Sequence, residues 1–308
     1  VDLWSHDRFT FPLPPTHRFP LSKYALLRAR LEADGIAGPD EIHECEPVPW
    51  AWIEAVQHPA LVARLREGTL SLRERRGLGL PWSPALVERA RRTTAGTVAA
   101  ARRALERGVG MNLGGGTHHA GYDFARGYCL FNDVAVALAC LRADDGAQRG
   151  LVIDCDVHQG DGTAQVLAGD PDAFTLSLHG ARNYPFQRIA SDLDVDLPSG
   201  TGDDAYLQAL DDALDAAIPP SRPDVAFYLA GADPFEGDRL GRLSLTKDGL
   251  RRRDERVVGR LRAEGAAVVV VLAGGYARDV ADTVDINAAT AAVVAAADAL
   301  TAWSSSPQ

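Results

Sequence analysis

Four short apolar runs, at 151–156, 173–178, 224–230 and 266–273, recur along this chain, the last of them dominated by valine. Helical patterns lie between and after them, around 132–143, 203–217, 247–264 and 283–301. A strand buried on both faces reads as a continuous apolar run, and strands that alternate with helices pair in parallel. The spacing therefore predicts α/β architecture: a single domain over residues 1–308, with a mainly parallel sheet between two helical layers. Upstream, Ser83-Pro84 reads as an N-cap followed by proline at the first helical position, and Gly108 closes that helix. A short run at 109–113 follows, whereas residues 1–80 read as irregular with short helical pieces.

Composition narrows the function. The 42 acidic against 32 basic residues exclude a uniformly basic nucleic-acid binder and tilt expectation toward cationic or neutral partners. Cys45, Cys129, Cys140 and Cys155 form no C-x-x-C pair, which argues against a disulfide scaffold or thiolate zinc finger and suits a reducing compartment. Residues 1–11 show no apolar leader after a basic start, and the run 266–273 falls well short of the ~20 residues that span a bilayer. The expectation is a cytoplasmic protein without a membrane span. Thirty arginines against two lysines, Lys23 and Lys247, point to GC-rich coding.

In parallel α/β sheets, ligands sit beyond the carboxyl ends of the strands. The polar clusters of this chain sort to those places: Gly114-Gly-Gly-Thr-His-His119, Asp154-Cys-Asp-Val-His-Gln-Gly-Asp161, Gly231-Ala-Asp233 and Gly274-Gly-Tyr276. Alternate residues of an extended segment point the same way, so Asp156 and His158 can hold one cation, with Asp154 nearby and Asp233 as the third ligand. Two carboxylates, one imidazole and no thiolate describe an open catalytic site, for which zinc is the first choice and Fe²⁺ or another divalent ion an alternative. Such a metal is a weaker Lewis acid than one held by three imidazoles and needs help from the protein. His118 and His119 can act as base and proton donor, with Asp154 and Asp161 as the acids that orient them. Tyr276, on the Gly274-Gly275 hinge, can donate a hydrogen bond to a carbonyl oxygen. Taken singly, the histidine pair reads as a solvated turn, Asp-x-His as a surface loop and Tyr276 as a core tyrosine. A phosphate loop is the rival reading of the glycines, but no G-x-x-x-x-G-K-[ST] occurs and 108–114 misses G-x-G-x-x-G by one residue.

These segments together resemble the zinc-dependent histone deacetylases and their bacterial acyl-amine hydrolase relatives, which have an arginase-like fold. The likeness runs in order through 114–119, Gly127-Tyr-Cys-Leu-Phe-Asn132, 154–162, Ser177-Leu-His179, 231–233 and 274–276, over roughly residues 80–300. The segments 16–24 and 236–244 are most similar to the class IV branch and its bacterial relatives. The resemblance implies removal of acetyl or longer fatty acyl groups from lysine side chains or related amines, with acetylpolyamines as the alternative substrate. It implies one zinc ion on Asp156, His158 and Asp233. His119 with Asp161 would be the general base, His118 with Asp154 a protonated charge stabiliser, and Tyr276 the carbonyl donor. Gly127, Tyr128, Tyr184, Gly274 and Gly275 would wall the substrate tunnel. Oxygens of Asp154, Asp156, His158, Ser177 and Leu178 would hold a structural potassium ion.

Two departures stand out. The rim aspartate of class I enzymes has no matching counterpart, leaving the acidic stretch 40–46 as the stand-in and favouring a small acylated amine over a protein chain. Pro234 follows Asp233 and stiffens the next loop. A binuclear manganese ureohydrolase of the same fold would need an acid two residues past Asp233, where Phe235 stands. A silent acyl-lysine reader would have lost a ligand, a histidine or the tyrosine, and all are present. The oligomeric state is not legible from the sequence.

Overall fold

A computed structural model describes residues 1–144 and 146–304. In chain order its strands are β1 (Leu3–Trp4), β2 (Ile42–His43), β3 (Val109–Asn112), β4 (Gly150–Asp154), β5 (Ala173–Gly180), β6 (Leu193–Leu197), β7 (Val225–Leu229) and β8 (Ala267–Val271). The helices are α1 (Lys23–Ala33), α2 (Trp50–Glu54), α3 (Pro59–Glu67), α4 (Leu72–Leu78), α5 (Pro84–Arg107), α6 (Asp133–Ala143), α7 (Asp161–Val166), α8 (Asp203–Ser221), α9 (Lys247–Ala263) and α10 (Val280–Ser304). The strands form one eight-stranded sheet in the order β2-β1-β3-β8-β7-β4-β5-β6, and every pairing is parallel.

Continuous apolar strands serve two cores at once. Along β8, Val268 and Val270 pack on the side of α1, α8, α9 and α10, and Val269 and Val271 on the side of α5 and α6. The same alternation splits Leu151 and Ile153 from Val152 in β4. This period of two, apolar on both faces, gives the three-layer arrangement expected from the sequence. The boundaries of α5 also follow the expected caps: Ser83 Oγ accepts from Leu86 N at 3.1 Å, and Gly108 adopts a φ of 88°.

Three features differ from expectation. β6 was not anticipated, because in Leu193-Asp-Val-Asp-Leu the aspartates break the apolar run; an edge strand needs only one buried face. β1 and β2 are two residues each and too short to register as periodic. Finally, α10 is long and apolar enough by length and composition to cross a bilayer. Ile286, Ala288, Ala291 and Val294 place one face of it in the core, as a packed helix of this sheet requires.

Candidate active site

The carboxyl ends of β3, β4, β7 and β8 meet near the middle of the sheet, and the loops that leave them carry the polar clusters. β4 stops at Asp154, and residues 156–158 bend. Asp156 and His158 therefore come together through this bend, not through strand alternation. Asp156 Oδ1 accepts from both His158 N and His158 Nδ1, at 2.9 Å each. From the loop after β7, Asp233 brings Oδ2 to 3.2 Å from the same Nδ1. The three side chains offer ligand atoms within 4.8 Å of one another, and all three residues are buried or nearly so.

The donor set fits a divalent cation. Asp233 Oδ2 is buried and accepts no well-aligned hydrogen bond, an orphaned oxygen aimed at the cluster. Burial and the neighbouring Asp156 carboxylate push the Asp233 carboxyl upward, a repulsion that a cation between them removes. Two hard oxygens and one imidazole nitrogen suit zinc or a similar metal.

Beside this cluster, the Gly-rich turn after β3 is pinned by the first residue of α6. Asp133 accepts from Gly116 N at 3.1 Å and from Thr117 N at 2.8 Å. The next two residues then present stacked imidazoles, with ring centroids 4.1 Å apart. His118 Nδ1 donates to Asp154 Oδ2 at 2.6 Å, and His119 Nδ1 donates to Asp161 at the start of α7. The other Asp161 oxygen pairs with Arg126. Burial opposes charge on His118, but Asp154 and Asp156 overcome it and raise its pKa to about 9. Burial and the charge of His118 hold His119 down to about 4. One imidazole is thus charged and the other neutral at pH 7. Tyr276 lies beyond β8; burial, and then the Asp156 and Asp233 charges, keep its phenol protonated.

Residues 17–293 match the family described as the histone deacetylase domain. The chain belongs to the histone deacetylase family. An uncharacterized protein of Picosynechococcus sp. is 42% identical over 279 residues, 91% of this chain and 93% of its own length. The histone deacetylase-like amidohydrolase of Pseudomonas aeruginosa is 34% identical over 171 residues, 52% of this chain and 45% of that protein. Among solved structures, an HDAC homolog from Aquifex aeolicus has a TM-score of 0.80 at 23% identity, covering 94% of this chain and 82% of that one, which bears on the fold.

In this histone deacetylase-family chain, a cavity of about 720 Å³ opens over the cluster. Tyr184 meets His119 edge-on at 4.9 Å between ring centroids, and Tyr128 and Tyr276 lie 5.8 Å apart. Tyr128 holds a φ of 70°, unusual for a non-glycine residue, with its N–H bonded to Leu78 O at 2.8 Å. Gly127 and Gly274 line the cavity too, whereas Gly275 reaches it only through its neighbours. Asp154, at the end of β4, is the register partner of Ser177 within β5, with Leu178 following, whereas Asp156 and His158 lie in the bend beyond β4.

The acidic stretch 40–46 does not reach the cavity. Glu41 pairs with the Val1 ammonium, Glu44 with Arg8 and Glu46 with Arg92, so these acids fasten the N-terminal edge of the sheet and do not form the rim. Several supporting residues had no assigned role in the sequence reading. Asp238 accepts from Tyr276 N at 2.6 Å and fixes the tyrosine loop. Lys23 is buried, with Nζ 3.4 Å from Gly275 O and 5.5 Å from the Tyr276 ring centre. Arg253 of α9, fully buried, donates to Gly231 O at 2.6 Å and holds the segment that carries Asp233. Lys23 and Asp238 lie inside the segments 16–24 and 236–244, so a signal existed; Arg253 sits in an arginine-rich helix and had none.

Proposed function

We propose that this chain is a zinc-dependent amidohydrolase that removes acyl groups from the amino end of lysine side chains or related amines. The convergence of Asp156, His158 and Asp233 under two differently charged imidazoles and a neutral phenol, inside one cavity, carries the reading. Asp156, His158 and Asp233 would hold the ion. When bound, it supplies a Lewis acid for the amide carbonyl and lowers the pKa of a water.

The residues of the chain do the rest. His119, neutral and oriented by Asp161, takes a proton from the attacking water. His118, charged and anchored on Asp154, stabilises the developing negative charge and can protonate the departing amine. Tyr276 would offer its hydroxyl as a hydrogen-bond donor to the amide carbonyl oxygen as negative charge develops there. Tyr128, Tyr184, Gly127 and Gly274 surround the alkyl chain and exclude water from it, with Gly275 behind them. The lining of the cavity also includes Phe11, Leu86 and Ala90, apolar side chains that support acyl groups longer than acetyl as substrates. Asp154, Asp156, His158, Ser177 and Leu178 are assigned to a structural potassium ion. All four cysteines are free thiols, three of them buried, which supports a cytoplasmic location.

A fluorogenic acyl-lysine assay tests the reading. Hydrolysis is expected, lost on chelation and restored by zinc. Full turnover after exhaustive demetallation, or none with any acyl-lysine or acetylpolyamine in the zinc-loaded protein, overturns it.

A further inference from the structure

The lining of the cavity has a charge that the chain as a whole does not. Arg18, Arg76, Arg182, Arg239 and Arg242, all exposed, contribute to it, and apart from the metal-cluster residue Asp156 no aspartate or glutamate does among the described residues. None of the five arginines forms an ion pair among the described residues. Elsewhere on this acidic protein many arginines are matched to carboxylates, as in Arg30 with Asp34, Arg142 with Asp170 and Arg260 with Asp215, while others such as Arg66, Arg73 and Arg278 form no ion pair among the described residues. An arginine-rich composition explains why the cations are arginines; it does not explain why five of them gather at one opening whose lining holds no acid but Asp156 among the described residues. Arg239 is also tied to the site, with Nε donating to Tyr276 O at 3.0 Å.

We propose that the substrate is an acylated amine whose far end, outside the tunnel, carries a carboxylate. The inference rests on the hydrolase reading for the acyl-amine half and on the arginines for the other half. A guanidinium presents a planar fork that matches a carboxylate with two parallel hydrogen bonds. A polyamine or a lysine- and arginine-rich tail would meet like charge on entry. The local sign thus reverses the preference for cationic partners that net charge suggested.

The test uses the zinc-loaded full chain and three matched acetylated alkylamines ending in carboxylate, carboxamide or ammonium. Their methylsulfonamide counterparts, which cannot be hydrolysed, serve for equilibrium binding. We expect the carboxylate to exceed the carboxamide in kcat/KM and in affinity by about tenfold at low salt, the sum of two or three exposed ion pairs. The preference should fade in about 0.5 M salt and in the triple variant Arg18→Gln, Arg182→Gln, Arg242→Gln. Acetyl-lysine peptides flanked by aspartates or by arginines distinguish a chain substrate from a small one, and the acidic peptide should lead. Hydrolysis with equal or better use of the ammonium compound overturns the proposal and leaves the hydrolase reading intact. Carboxylate-selective binding without hydrolysis does the reverse. Neither hydrolysis nor selective binding overturns both.

Discussion

Gly274 lies against Asp233 so closely that a Cβ at that position would sit 2.0 Å from Asp233 Oδ2 and 2.6 Å from Asp156 Oδ2. The glycine N–H meanwhile donates to Asp156 Oδ2 at 2.7 Å. Its backbone therefore orients one proposed ligand, and its missing side chain leaves room for another. Gly274→Ala is expected to weaken zinc binding by about 10–100-fold, the range seen when contacts that orient ligands are lost. Metal content after dialysis against a weak chelator measures this; unchanged occupancy would separate the glycine from the cluster.

Asp233→Ala removes the orphaned oxygen altogether. Zinc should raise the melting temperature of the parent chain, because a ligand that binds only the folded state stabilises it. The variant should show no such rise. A zinc-dependent shift of equal size in both proteins would sink the ligand assignment.

Tyr276→Phe keeps the ring contact with Tyr128 and deletes only the hydroxyl. The expected result is a fall in kcat of about 10²–10³-fold, as for the loss of an oxyanion donor, with zinc content unchanged. Turnover within a few-fold of the parent would take the phenol out of the reaction.

His6 gives the fold a pH dependence of its own. Burial, and then the Arg89 charge, lower its pKa to about 4 in the folded chain. Its Nε2 accepts the Cys45 N–H at 2.9 Å, which a protonated ring cannot do. Unfolded, it titrates near the usual ~6.5. Between these values the unfolded state holds more protons, so the stabilisation is complete above ~6.5 and is lost as pH falls through about 4. At pH 5 the loss amounts to about 2 kcal/mol. Urea midpoints at pH 7.5 and pH 5 should differ less in His6→Asn than in the parent; the same midpoint difference in both would refute the assignment.

The central strands were readable because burial on both faces leaves few choices beyond valine, isoleucine and leucine, and because each strand hands over to a glycine-rich polar cluster. Asp154, Asp156, His158 and Asp233 could be grouped on that basis before any coordinates. The route by which Asp156 and His158 meet could not: nothing in five residues distinguishes a strand from a bend once the sheet pairing ends. β1 and β2 escaped because two residues carry no period, and β6 because its outward aspartates hide an inward valine. Net charge left the entrance undescribed, since a sum over 308 residues cannot say where five arginines gather.

Apart from the turn after β3 and the loop after β8, the cavity takes most of its walls from outside the central strands. Phe11, Phe19 and Lys23 come from the N-terminal segment, Arg76 and Leu86 from α4 and α5, and Arg182 and Arg242 from loops after β5 and β7. The proposed ligands instead stand on loops that leave β4 and β7. Reactivity and choice of substrate are thus written largely on different stretches of chain, meeting only in the loop after β7, which carries both Asp233 and Arg242. A lineage could replace the entrance piece by piece, acquiring new substrates, while the reacting centre passed down unaltered.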